Sequence, residues 1–150
     1  MLLTGIGVAI YFYAKKYKRK EKPEEIVYAT PIEKAVSLLK NLEQKELWQK
    51  GEIKDYYSQL TDIARTYIEE ETQVPAMEST TSEVIAGLRS ATVRKKMKVS
   101  KETVENLERV LRQADLVKFA KSKPLEFEIA EDRNKIEKTI FTLHKAIPEI

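Results

Sequence analysis

Residues 48–88, WQKGEIKDYYSQLTDIARTYIEEETQVPAMESTTSEVIAGL, decide the fold. Ile53, Tyr56, Tyr57, Leu60, Ile63, Ala64, Tyr67 and Ile68 recur three or four residues apart, which on a helix gathers them into one apolar stripe. Lys54, Asp55, Gln59, Asp62, Arg65 and Glu69 are then expected to face outward. The spacing predicts a helix with one face in a core. After the acidic run Glu69, Glu70 and Glu71 comes a turn containing Pro75, followed by Thr80, Thr81, Ser82 and Glu83. There a threonine hydroxyl and a glutamate three residues on can satisfy the free N–H groups of a new helix start. Helix, loop and capped helix form the central unit.

The chain has 150 residues, long enough for one domain with a core, and its 42% hydrophobic and 34% charged residues are a globular balance. Strand-type alternation is absent, while Lys, Glu, Leu, Ile and Ala fill long windows at helical spacing. An all-α fold follows. Cysteine is absent, which removes disulfides, thiol nucleophiles and Cys-based zinc sites.

The net charge of +3 is unevenly spread. Six basic residues (Lys15, Lys16, Lys18, Arg19, Lys20, Lys22) against Glu21 leave +5 between residues 15 and 22, and therefore −2 over the rest. A generally basic surface for nucleic acid is not supported. Ahead of that block, residues 2–14 are uncharged and run into Tyr11, Phe12 and Tyr13. An apolar run closed by aromatics and then by Lys and Arg matches the cytoplasmic end of a transmembrane helix. Tyr11, Tyr13, Lys15, Lys16, Lys18, Arg19 and Lys20 are the expected membrane-interface residues. Fourteen residues reach only ~21 Å, against a hydrocarbon core of ~30 Å, so a complete span needs apolar residues ahead of Met1. A signal peptide has the opposite order of charge and apolar run. An interfacial helix and a packed soluble helix are the other readings, and the second leaves the basic block without a reason.

The domain plan is a membrane end and basic segment at 1–22, a tether at 23–30 and a cytoplasmic helical domain at 31–150. In the last, Thr30, Pro31 and Glu33 open a helix with a buried stripe of Ile32, Ala35, Val36, Leu39 and Leu42. Leu47 and Trp48 extend the apolar path until Gly51 breaks it, Trp48 serving as a corner filler rather than a stacking platform. Val84, Ile85 and Leu88 give the short capped helix its inner face, and residues 89–98, RSATVRKKMK, read as a solvated basic loop, with a patch for anionic headgroups or an acidic partner as the other reading. Ser100 caps a helix with the stripe Val104, Leu107, Val110, Leu111 and Ala114. A short element follows in which Asp115 caps or pairs with Lys118, Leu116 and Phe119 pack inward, and Lys118 and Lys121 share an outer face, until Pro124 ends it. The final helix carries Ile129, Ile136, Ile140, Leu143 and Ile147. The expected fold is a bundle of about five helices behind an N-terminal anchor helix.

No enzyme signature stands out. His144 is the sole histidine, with no second His or Cys to complete a metal set, and there is neither a glycine-rich phosphate loop nor a Gly-x-Ser-x-Gly elbow. The acidic run reads as a solvated helix end. No catalytic residue, metal, cofactor or small-molecule substrate is therefore expected. A helix-turn-helix reading of residues 56–88 meets a connection longer than that motif's three or four residues, and glutamates that oppose phosphate.

The patterns YYSQLTDIARTYIEEETQVPAMESTTSEVIAGL (56–88) and LERVLRQADLVKFAKSKP (107–124) resemble the cytoplasmic domain of a Bacteroidetes membrane-protein family found in the aerotolerance (Bat) gene clusters. The resemblance covers nearly all of residues 31–143. Its most specific pieces are Arg65 with Tyr67, Pro75 and Ala76 with Thr80, Thr81 and Glu83, and residues 114–120, ADLVKFA. It implies as partners a MoxR-type AAA+ ATPase, a further membrane-associated protein, and proteins with von Willebrand factor type A domains. Members usually carry an extracytoplasmic region before the transmembrane helix; these 150 residues contain none, so that region's role is not carried over. The resulting expectation is an adaptor in the inner membrane, single-pass, with its C-terminal helical domain in the cytoplasm, serving that assembly in envelope stress or protein maturation. Lys118 and Lys121 are the expected protein-binding residues. A membrane-tethered nucleic-acid-binding regulator is the alternative, and a hydrolase the third.

Overall fold

Thr30 accepts a hydrogen bond from the Glu33 N–H at 3.3 Å, and Pro31 follows at the first helical position, where its missing N–H costs nothing. From this cap the computed structural model, which describes residues 26–148, builds five α-helices and one short 3₁₀ turn, with no strand among the described residues. They are α1 (Pro31–Gln44), α2 (Ile53–Thr72), the 3₁₀ turn (Ala76–Glu78), α3 (Thr81–Arg94), α4 (Lys101–Ala120) and α5 (Glu126–Ala146). The all-α bundle is as the periodicity requires. The membrane-end segment 1–22 and the first residues of the tether lie outside the described residues. Among the described residues, no helix is long and apolar enough to cross a membrane.

Contacts between helix ends define the topology. Lys34 meets Glu70 at 2.6 Å, and Tyr56 donates to Glu43 at 3.1 Å, so α1 runs antiparallel to α2. Tyr57 donates to Asp132 at 2.7 Å and Arg133 reaches Glu43 at 3.2 Å, placing the start of α5 beside the start of α2 and the end of α1. Thr81 donates to Asp115 at 2.6 Å, while Arg89 lies 3.8 Å from Glu108, so α3 and α4 are antiparallel. Helix α2 is central: Tyr56, Tyr57, Leu60, Ile63, Ala64, Tyr67 and Ile68 are all buried, facing α1, α4 and α5. The caps also stand where the residues placed them. Thr80 and Glu83 form a reciprocal capping box, and Ser100 accepts from the Thr103 N–H.

Four sequence expectations need correction. Val36 is exposed at the edge of α1 rather than buried. Helix α3 continues to Arg94, so the stretch expected as a loop is half helical, with Ala91 and Met97 buried and Lys95 donating to the Glu71 carbonyl and to Gln73. Residues 114–120 are the last turns of α4, not a separate element. Arg65 does not face outward; it is 8% exposed. The periodicity assigned it by charge, whereas the loop after α2 folds back and offers it acceptors. That fold-back is tight: a Cβ on Gly87 of α3 would come within 2.8 Å of a Val74 methyl, so loop and helix meet where only glycine fits without a shift.

Asp132 is buried against Tyr57, and burial pushes its carboxyl above the usual aspartate range, while the Tyr57 hydrogen bond and nearby Lys135 pull the other way. Because the folded-state value is raised, its contribution to stability is complete below the ordinary value of about 3.9 and is lost as pH rises through the folded value. Asp132→Asn keeps an oxygen for Tyr57 and removes the buried charge. The variant is expected to be more stable than the parent at pH 7 and equal to it near pH 3. Urea titrations at the two pH values check this; a deficit at pH 7 would mean that the charge itself holds Tyr57.

Candidate functional site

Three separated stretches meet at one place on the bundle. Arg65 projects from α2 under the loop and donates through Nη1 to the Ala76 carbonyl at 2.8 Å and the Ser79 carbonyl at 2.6 Å. Its Nη2 donates to the Thr81 hydroxyl at 3.3 Å, and that hydroxyl donates in turn to Asp115 of α4 at 2.6 Å. The guanidinium thus has a carboxylate counter-charge relayed through one threonine, and its planar fork binds two carbonyls that no helix partner serves. The Met77 N–H donates to Glu69 at 3.2 Å and ties the loop to α2, while Ser79 donates to the Pro75 carbonyl at 2.7 Å and closes the loop on itself. The Thr80 N–H and hydroxyl both hold Glu83, whose carboxyl lies below the usual glutamate range because the backbone N–H stabilises its anion.

These residues floor a cavity of about 430 Å³ walled by Asp62, Met77, Lys118 and Phe119. Lys118 is half-buried, its ammonium 5.9 Å from the centre of the Phe119 ring, within cation–π range. Asp115 is held by Thr81, not by Lys118 as the spacing suggested. Leu116 and Phe119 do not pack inward; they are 50% and 82% exposed, and Val117 takes the inner position. Lys121 does not continue the helical face of Lys118. It sits at the C-cap with φ 54°, its N–H bonded to the Leu116 carbonyl, and turns the chain toward Pro124. Of the expected docking residues, then, Lys118 belongs to the cavity and Lys121 to the corner beyond it. The expected membrane-interface residues, Tyr11, Tyr13, Lys15, Lys16, Lys18, Arg19 and Lys20, lie outside the described residues.

Elsewhere, Trp48 is half-buried against the core near the Gly51 turn. His144 is exposed near the end of α5, beside a second depression lined by Glu71, Lys145 and Ile147. Among the described residues no group of three or more His, Asp and Glu side chains is placed to hold a metal ion. Burial, first of all, raises the hydroxyl pKa values of Tyr56, Tyr57 and Tyr67, keeping all three neutral. Sequence reasoning missed the Arg65–Thr81–Asp115 chain. Its one signal was a pair of polar residues, Thr81 and Asp115, at positions adjoining apolar stripes. No protein-family model, curated protein or solved structure matches the chain.

Proposed function

We propose that the chain is a membrane-anchored helical docking domain, held at the cytoplasmic face by residues 1–22, that serves an assembly of a MoxR-type ATPase and von Willebrand factor A proteins in envelope stress or protein maturation. The observation that carries the reading is the convergence of Arg65, Thr81 and Asp115. The three stretches most specific to the Bat-cluster resemblance supply these residues, and together they brace the end of α4 that bears Lys118, Phe119 and Lys121. The network ties its polar groups to one another and so fixes the surface that bears Lys118 and Phe119, which favours reading that surface as a binding face. Ile26, Tyr28 and Thr30 line a depression with Lys34 and Glu70 beside the first turn of α1, and the anchor itself rests on the sequence of residues 1–22.

Two measurements test this. Cells making the natural full-length protein are expected to retain it in the membrane fraction and, after mild solubilisation, to copurify it with the ATPase or a von Willebrand factor A protein; recovery in the soluble fraction removes the anchor. Against that partner, Lys118→Glu/Lys121→Glu is expected to slow association and make it less salt-sensitive, with little change in melting temperature. A large fall in melting temperature would show that the lysines are structural.

A further inference from the structure

We infer that the turn from α3 to α4 rests on the headgroups of an anionic bilayer, which Arg94, Lys96 and Lys98 meet with the Val93 side chain beside them. This rests on the anchor reading above and gives the domain its orientation beneath the membrane. Residues 84–101 hold Arg89, Arg94, Lys95, Lys96, Lys98 and Lys101 and no carboxylate. The −2 carried outside the first basic block therefore divides into +6 in this stretch and −8 over the remainder. Folding leaves the outermost of these charges free. Arg89 faces Glu108 at 3.8 Å, and Lys101 pairs with Glu105 at 3.4 Å. Lys95 donates to the Glu71 carbonyl at 3.4 Å and to the Gln73 side chain, neither of them an anion. Arg94, Lys96 and Lys98 are exposed and, among the described residues, make no ion pair. Two carboxylates stand near without an ion pair: Glu102, exposed in the first turn of α4, and Glu71, half-buried in the depression that also holds Lys145. Against four cations of residues 94–98 they leave the surface positive. Val93 is 80% exposed next to Arg94, an apolar branch at headgroup level beside long cationic stems.

Position selects a bilayer among anionic partners. Lys34, in the first turn of α1, bonds Glu70, and Lys95, just past α3, bonds the Glu71 carbonyl. The start of α1 and the end of α3 thus flank the same last turn of α2. Tyr28 accepts from the Ser37 hydroxyl at 3.4 Å, so the described chain already lies against the domain there. Only residues 23–25 separate Ile26 from Lys22, where the expected membrane segment ends, a reach of at most ~14 Å at ~3.5 Å per residue. A basic face held that close lies within one or two Debye lengths, ~8 Å each, of the lipid charge. The same field repels the −8 remainder and turns it away from the surface. Lys118 stands near the other end of the 20-residue α4, ~26 Å from Lys101 at ~1.5 Å per residue. The cavity it walls then opens well below the bilayer, where a cytoplasmic partner can reach it. A nucleic-acid duplex fits less well, because the acidic remainder opposes its phosphates on every side but this one.

The chain has no cysteine, so Val93→Cys carries a single environment-sensitive dye on the full chain, reconstituted in nanodiscs of phosphatidylcholine alone or mixed with phosphatidylglycerol. A blue shift is expected in the discs with phosphatidylglycerol, absent without it and lost at high salt. The same dye on Lys54→Cys, exposed at the other end of α2, should not move. Arg94→Gln/Lys96→Gln/Lys98→Gln should abolish the Val93 shift and leave the melting temperature unchanged. Lys98→Glu, a single change outside any helix, should reduce the shift by itself. An equal shift in both lipids, an equal shift at Lys54, or a shift that survives the triple variant overturns the assignment; the last would mean that the block at 15–22 acts alone. A larger shift in phosphatidylcholine discs on adding inorganic phosphate or duplex DNA would make the face a site for soluble phosphate, and one on adding polyglutamate a protein-docking face. Either overturns the membrane contact. Recovery of the chain outside the discs removes the anchor and this face with it. A chain that enters the discs and shows no shift with phosphatidylglycerol removes the face and leaves the anchor standing.

Discussion

Arg65→Ala is expected to destabilise the domain by about 2–4 kcal/mol, from the loss of charge-assisted hydrogen bonds and the exposure of unpaired carbonyls to a dry interior. The side chain is 8% exposed and serves the Ala76 and Ser79 carbonyls and the Thr81 hydroxyl at once. Alanine leaves all three without that donor and removes the positive partner of the Thr81–Asp115 link. Against a total stability of ~5–15 kcal/mol, that is a large fraction. Arg65→Lys should recover only a part, because one ammonium nitrogen cannot occupy both the Nη1 position that serves the two carbonyls and the Nη2 position that serves Thr81. Urea denaturation beside the surface control Arg109→Ala decides it; equal effects at the two positions would mean that the loop holds without its arginine. A loosened loop also frees the end of α4, so Arg65→Ala should weaken the proposed docking as well as the fold.

Leu60→Ala is expected to cost about 2–5 kcal/mol, since the residue is fully buried in the middle of α2, where collapse of the neighbours is limited. Tyr67→Ala belongs in the same range. Tyr67→Phe separates ring from hydroxyl. The Tyr67 hydroxyl is buried with no hydrogen-bond partner, so its removal should stabilise the domain by about 1 kcal/mol. Thr80→Ala removes a cap and should cost about 1 kcal/mol. If denaturation placed Thr80→Ala above Leu60→Ala, the division between core and cap would be wrong.

The features legible in the sequence are those whose causes are local. The α2 stripe, the Thr30, Thr80 and Ser100 caps and the Gly51 break each depend on residues within a turn or two of one another, and each stands as its spacing required. Arg65 is not legible from its spacing, because an arginine on a helical wheel defaults to solvent and only the return of residues 73–80 over α2 supplies its acceptors. Leu116 and Phe119 depart from the pattern for a related reason: apolar character alone does not bring burial, and Ala114 and Val117 carry the inner face of α4 to its end. The bond between Tyr57 and Asp132 spans 75 residues. No local pattern announces such a pair. The anchor reading, by contrast, rests on residues 1–22, which are legible in sequence terms alone.

Helix α1 is gripped at both ends, by Glu70 at Lys34 and by Tyr56 and Arg133 at Glu43, with Ala35, Leu39 and Leu42 buried between. Any pull arriving through residues 26–30 enters at its first turn. A load along the bundle axis, away from the α4–α5 corner, must slide the whole of α1 past α2 and α5, so its contacts share the force and yield together. A load across the axis peels the helix one turn at a time. Forced unfolding is governed by the rate of the first irreversible opening, and that rate should therefore be far lower for axial than for transverse pulling. The domain is expected to be mechanically anisotropic, stiffest along the line from residues 26–30 to the α4–α5 corner.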